Sequence, residues 1–204
     1  MSAQTDLYDS LLADVVTLTN RPDLSAEAAV AIKTATLSIH ARAAFPRDVG
    51  TVLAKQVNAT FITSLDAITL FPRLRGLSTV RLCDVNYNPL ESPEIEIIEL
   101  GDIYDPEYKT LKNNVAYIAG TNVNVRSGVA AYGYLVEYLA SPLVLRAQYN
   151  SWIAQLAPDA ILYTACSIVF ATSGNEEKAA AYQKLVDTRF FPELVQNYLT
   201  SAIR

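Results

Sequence analysis

The sequence predicts an α+β fold in which helices from both ends of the chain form one bundle and an antiparallel β-sheet or sandwich is inserted between them. Two patterns predict this: apolar residues recur every three or four positions near both termini, whereas β-branched and aromatic residues dominate the middle. With 204 residues, 51% hydrophobic and 18% charged, the chain can bury a core. We place the helical bundle at residues 1–46 and 142–204 and the β domain at 47–141.

Two helices are predicted at the N-terminal end. The first spans Thr5–Asn20, with Thr5 as its N-cap. The second takes Asp23 or Ser25 as its N-cap and must end before Pro46, because a proline disfavours the helical conformation of the residue before it. Its apolar stripe consists of Leu24, Ala28, Ile32, Ala35 and Ile39.

The middle of the chain is predicted to be sheet, because its apolar runs are short and Asn, Gly and Pro fall between them. Turns are expected at Asn86–Pro93, Gly101–Pro106 and Gly120–Thr121. The predicted strands are Val52–Leu65 with a break near Asn58, Ser78–Val85, Glu94–Leu100, Asn114–Ile118, Asn122–Val125 and Tyr132–Ala140.

Helical spacing returns after Pro142. It predicts helices over Val144–Leu156 and Asp159–Thr172, followed by a last helix that Asn175 caps. The apolar stripe of that helix consists of Ala179, Tyr182, Val186 and Phe190. Pro192 is expected to break or kink it, leaving the end of the chain as a separate turn or a bent continuation.

The charge balance argues against tight binding of nucleic acid. The chain has 16 Lys and Arg against 21 Asp and Glu, a formal net charge of -5. No signal peptide is expected, and the most apolar stretches, Val129–Leu145 and Ala160–Ala171, are interrupted or too short to span a membrane. Cys83 and Cys166 are expected to be buried, reduced thiols, because each lies in an apolar run.

A catalytic interpretation would have to start from His40, the only histidine. No sequence motif locates a nucleophile for it, and nucleophile-elbow, P-loop, dinucleotide and zinc-ligand patterns are all missing from the sequence. We therefore interpret His40 as a partly exposed residue near a helix end. The sequence predicts no enzyme, no cofactor and no metal site.

Three other groups of residues are candidates for binding. Asp102, Asp105 and Glu107 could hold a hard cation, but Asp before Pro is also an ordinary way to open a turn, and we favour a solvated loop. A basic cluster could meet phosphates or the acidic rim of a partner. Tyrosine is abundant, and tyrosines serve equally in sheet cores and at protein interfaces. The candidate partner contacts are Arg73, Arg75, Arg81, Tyr87, Tyr132 and Tyr134, of which Tyr132 and Tyr134 share one strand face with Tyr138.

Two stretches resemble a known family. The N-terminal pattern LYDSLLADVVTLTNRPDLSAEAAVAIKTATLSIHARAAFPRD, joined to the C-terminal WIAQLAPDAILYTACSIVFATSGNEEKAAAYQKL, is similar to the small head-to-tail adaptor and tail-tube accessory (neck) proteins of tailed bacteriophages. The resemblance covers both helical arms and the order of elements. It implies a dodecameric homo-oligomeric ring in the virion that docks on the portal, contacts tail or nozzle proteins and lets genomic DNA pass without sequence-specific binding.

Two alternatives remain open from the sequence. One is a host-surface or carbohydrate-binding module of a virion, with loops Asn86–Pro93 and Gly120–Gly128 as its site and Tyr87 beside Asn86 and Asn88 as its aromatic platform. The other is an unrelated oligomeric structural protein. On the leading interpretation the protein is made in the host cytoplasm and resides at the head-tail junction.

Overall fold

The computed structural model of the chain describes residues 3–108 and 114–199. The chain forms two compact units. The helical unit contains the residues up to Asp48 and those from Ser141 onward, and the β unit is Val49–Ala140. The predicted α+β class is confirmed, and the unit boundaries fall within two residues of the predicted ones.

The α-helices of the described residues are α1 (Ala3–Thr19), α2 (Ser25–Ala41), α3 (Ala67–Leu70), α4 (Trp152–Leu156), α5 (Pro158–Thr172), α6 (Glu176–Leu185) and α7 (Phe191–Tyr198). The strands are β1 (Val49–Asp66), β2 (Leu74–Cys83), β3 (Glu96–Ile97), β4 (Val115–Ala119) and β5 (Asn122–Ala140). The longest helices, α1 and α2, have 17 residues each, and no described helix is long and apolar enough to cross a bilayer.

The helical unit is organised around α5, which packs against α1, α2, α4 and α6. Helix α5 is buried on most of its circumference because its sequence, PDAILYTACSIVFAT, carries a single charge. The predicted stripe of α2 is confirmed except for Leu24, which is half-buried. The fully buried residues that join these helices include Val15, Ile32, Ile39, Ile161 and Val169.

Only some of the helix caps predicted from the sequence are found in the structure. Asn175 caps α6 as predicted, its Oδ1 accepting from the Lys178 N–H at 3.2 Å, and Gly174 precedes it with a φ of +76°, where glycine carries no Cβ penalty. The predicted caps at the N-terminal end are wrong. Helix α1 begins at Ala3, two residues before Thr5, and α2 follows a 3-10 turn with Leu24 at its N-cap and no side-chain cap.

Two further predictions about the C-terminal helices are corrected or refined. The predicted helix Val144–Leu156 is reduced to α4, because Leu143 and Asn150 pair in an antiparallel bridge that closes the preceding loop. Pro192 does not break the last helix. A π-helical turn at Val186–Phe190 joins α6 to α7 and places the proline in the first turn of α7, where its missing N–H is tolerated.

The β unit is built around the 19-residue strand β5. Strand β1 pairs antiparallel with β5 on one side; on the other side, β4 pairs with the first part of β5 and β2 with the last part. The two strands predicted at Asn122–Val125 and Tyr132–Ala140 are therefore one. The predicted strand Glu94–Leu100 is wrong in length and direction, because only β3 pairs, and it runs parallel to β4. The sheet is thus mixed.

The long β1–β5 ribbon changes register near its middle. Lys55 pairs with Gly133 and Thr60 with Ala131, so the register shifts where the sequence predicts a break near Asn58, but the strand itself continues through this position. The alternation of buried residues in β5 shifts by one position at the same place. Both halves of the ribbon nevertheless bury side chains in one core, which includes Ala54, Leu65, Phe71, Leu82, Ala116, Val123, Val125, Tyr134, Val136 and Tyr138.

Candidate functional site

His40 lies at the centre of a buried polar network in the helical unit. Its Nδ1 is 2.9 Å from Asp48 Oδ1 and its Nε2 is 2.9 Å from Ser151 Oγ. The prediction of a partly exposed histidine is wrong, because only 1% of His40 is exposed. The serine that sequence motifs did not locate is 111 positions away in the chain. The order of contacts, serine to histidine to aspartate, is that of a hydrolase triad.

The surroundings of Ser151 favour a structural role for this network. Ser151 is the N-cap of α4, and its Oγ accepts a hydrogen bond from the Ala154 N–H at 3.1 Å. Its hydroxyl can then donate to His40 Nε2, which leaves the His40 Nδ1–H for the Asp48 carboxylate. Ser151 is only 1% exposed, whereas a nucleophile must be reached by its substrate.

Aromatic side chains enclose the network. The indole Nε1 of Trp152 donates to Asp48 Oδ1 at 2.8 Å, so this carboxylate has a second partner. The Trp152 ring also packs edge-on against His40, Phe45 and Tyr198, at centroid distances of 5.8, 5.3 and 5.3 Å. These contacts join the end of α2, the turn before β1, α4 and α7 at one place.

A second buried pair lies in the same unit. Tyr149 is fully buried, and its hydroxyl is 2.8 Å from Thr36 Oγ1. Thr36 Oγ1 donates to the Ile32 carbonyl, so Tyr149 is the donor in this pair. Burial raises the pKa of Tyr149 to about 12.

The three candidate arginines do not form one cluster. Arg73 and Arg75 line a common cavity of about 430 Å³ in the β unit. Arg81 does not line it; its side chain is exposed on β2, at the position paired with Leu135. We call the cavity lined by Ile68, Phe71, Arg73, Arg75, Ile118 and Thr121 the arginine cavity.

The Tyr87 ring packs against residues of β5 and β1. It lies against Gly133, where an added Cβ would be 3.1 Å from Tyr87 Cδ1, and Lys55 Nζ lies 4.5 Å from the ring centroid. The backbone N–H groups of Asn86 and Asn88 both donate to Asp84 Oδ1 at 2.8 Å. A lysine over the ring and backbone bonds within the loop disfavour Tyr87 as a platform for a sugar.

The candidate tyrosines of β5 separate into surface and core. Tyr132 is 37% exposed. Tyr134 is fully buried, with its hydroxyl 2.9 Å from Thr60 Oγ1, and Tyr138 is also buried. The prediction that Tyr134 contacts a partner is therefore wrong. The prediction that Tyr132 and Tyr134 share one face of the strand is also wrong. The physical reason is the shift of alternation in β5, which places Tyr132 and Tyr134 on opposite faces although they are two positions apart.

The acidic loop shows no metal-binding geometry. Asp102 Oδ2 accepts from the Glu99 N–H at 3.3 Å, as a turn residue does. Within residues 3–108 and 114–199, no group of three or more His, Cys, Asp or Glu side chains could hold a metal ion.

The two cysteines are buried thiols, as the sequence predicts. Cys83 is the last residue of β2 in the β unit, whereas Cys166 lies within α5 in the helical unit. Neither thiol is exposed to solvent. Both side chains therefore serve as small apolar groups of their respective cores.

No protein-family model matches the chain. No curated protein matches it at a significant level.

Proposed function

We propose that this chain is a structural subunit of a ring that joins the capsid portal of a tailed bacteriophage to its tail and surrounds the DNA channel. The observation that carries the proposal is the construction of the helical unit from both ends of the chain, with the β unit inserted between Asp48 and Ser141. This is the order of elements implied by the resemblance to head-to-tail adaptor proteins. The net charge of -5 suits a channel along which DNA must slide.

A surface of the β unit supports assembly. Val57, Phe61 and Ile62 are exposed around the register change of β1, and Val57 is 95% exposed. Between Lys55 and Asp66 this strand carries no charged side chain. Exposed apolar side chains on an uncharged edge strand favour contact with another protein subunit. We assign this surface to lateral contacts in the ring.

The buried triad is the one observation that favours an enzyme. Catalysis would require a substrate to reach Ser151 Oγ, which is enclosed by its own helix cap and by the network around His40. We therefore propose that the protein is not a hydrolase and that the network holds the helical unit together. The carbohydrate-binding alternative is disfavoured by the contacts of Tyr87.

The proposal is tested by mixing the purified chain with the portal protein of its phage. Native mass spectrometry and electron microscopy are expected to show a ring of this chain on the portal, even if the chain alone is monomeric. Val57→Asp is expected to prevent ring formation, whereas Asn58→Asp adds the same charge at the next exposed position and is expected to permit it. A wild-type chain that neither binds the portal nor occurs in virions would overturn the proposal.

A further inference from the structure

We draw no further inference here: the strongest candidate, the exposed surface of the β unit at residues 91–107, where Ile97, Leu100 and Tyr104 lie among seven carboxylates, carries none, because nothing in the part of the chain that the structure describes shows what covers it.

Discussion

His40 Nε2 and Ser151 Oγ lie 2.9 Å apart, although 111 positions separate the two residues in the chain. The contact joins the last turn of α2 to the N-cap of α4, and Asp48 holds the opposite nitrogen of the same ring. Every member of this group is buried. The network thus makes one polar connection between the N-terminal and C-terminal helices of the helical unit.

Ser151→Ala is expected to lower the free energy of unfolding by about 2–4 kcal/mol. The variant loses the cap of α4, worth about 1 kcal/mol, and leaves a buried imidazole nitrogen without this partner at a further cost of about 1–3 kcal/mol. Ser10→Ala, on the exposed face of α1, is the matched control and is expected to leave stability unchanged or to raise it by a few tenths of a kcal/mol, because alanine is the better helix former. Urea denaturation measures the free energy of unfolding of both variants.

A fluorophosphonate probe tests the same serine for reactivity. We expect no labelling of Ser151 in the folded protein, because its hydroxyl is buried. His40→Ala should destabilise the protein rather than leave it unaffected, since it removes a partner from the buried Asp48 carboxylate. Specific labelling of Ser151 that disappears in His40→Ala would show that the triad is catalytic.

Gly50→Ala is expected to destabilise the β unit by about 1–3 kcal/mol, the usual cost of overpacking a core. A Cβ at this position would lie 2.9 Å from Tyr138 Cε1 and Cζ, and the Tyr138 ring is confined by Phe71. Gly76→Ala, on another strand paired with β5, meets nothing within 4 Å and serves as the control. Equal thermal melts of the two variants would contradict the packing described for Tyr138.

Alkaline pH should weaken the fold through Tyr149. Its pKa is about 12 in the folded protein against 10.0 for an unperturbed tyrosine, because burial disfavours the phenolate. Between these values the unfolded state releases the proton while the folded state keeps it, so stability falls as pH rises, by about 1.4 kcal/mol per pH unit from this group. Tyr149→Phe should show a shallower decline of unfolding free energy over pH 10–12.

Both thiols are expected to be unreactive in the native protein. Burial raises the pKa of Cys166 to about 12 and also raises the pKa of Cys83, so neither forms the reactive thiolate near neutral pH. Ellman's reagent should titrate no thiol in the folded chain and two after denaturation. A thiol that reacts rapidly before unfolding would show that its region opens.

Truncation after Gly174 should leave the helical unit molten or insoluble. It removes α6 and α7 with the buried side chains of Val186, Phe190 and Leu194. Burial of each contributes about 1.5–3 kcal/mol, and three approach the marginal stability of roughly 5–15 kcal/mol of a folded domain. Retention of the near-UV circular dichroism spectrum and a cooperative melt would mean that α1, α2 and α5 suffice for the core.

Local signals in the sequence predict the elements that local interactions decide. The stripe of α2 and the Asn175 cap are of this kind. Periodicity carries no information about two other features. One is the parallel pairing of β3 with β4, which depends on a partner strand elsewhere in the chain. The other is the loop closed by Leu143 and Asn150, which depends on its tertiary context.

The candidate sites show the same division. The sequence identifies His40 as the residue to examine but does not identify its partners. Ser151 is 111 positions away in the chain. Asp48 lies in the 3-10 turn Pro46–Asp48, which the sequence analysis does not predict. Arg73 and Arg75 are close together in the sequence, whereas the apolar lining of their cavity includes Ile118 of β4, which is distant in the chain. Regular alternation predicts one face for Tyr132 and Tyr134, and the shift within β5 separates them.

The insertion of the β unit has a consequence for synthesis on the ribosome. Helices α1 and α2 emerge first, but α5, the helix around which they pack, follows only after Val49–Ala140 has been made. Closing a flexible loop of that length costs about 4 kcal/mol of chain entropy. The pairing of Val49 with Leu139 brings the two ends of this segment together. If the β unit folds during synthesis, the entropy of closing the segment is lost before α5 packs against α1 and α2.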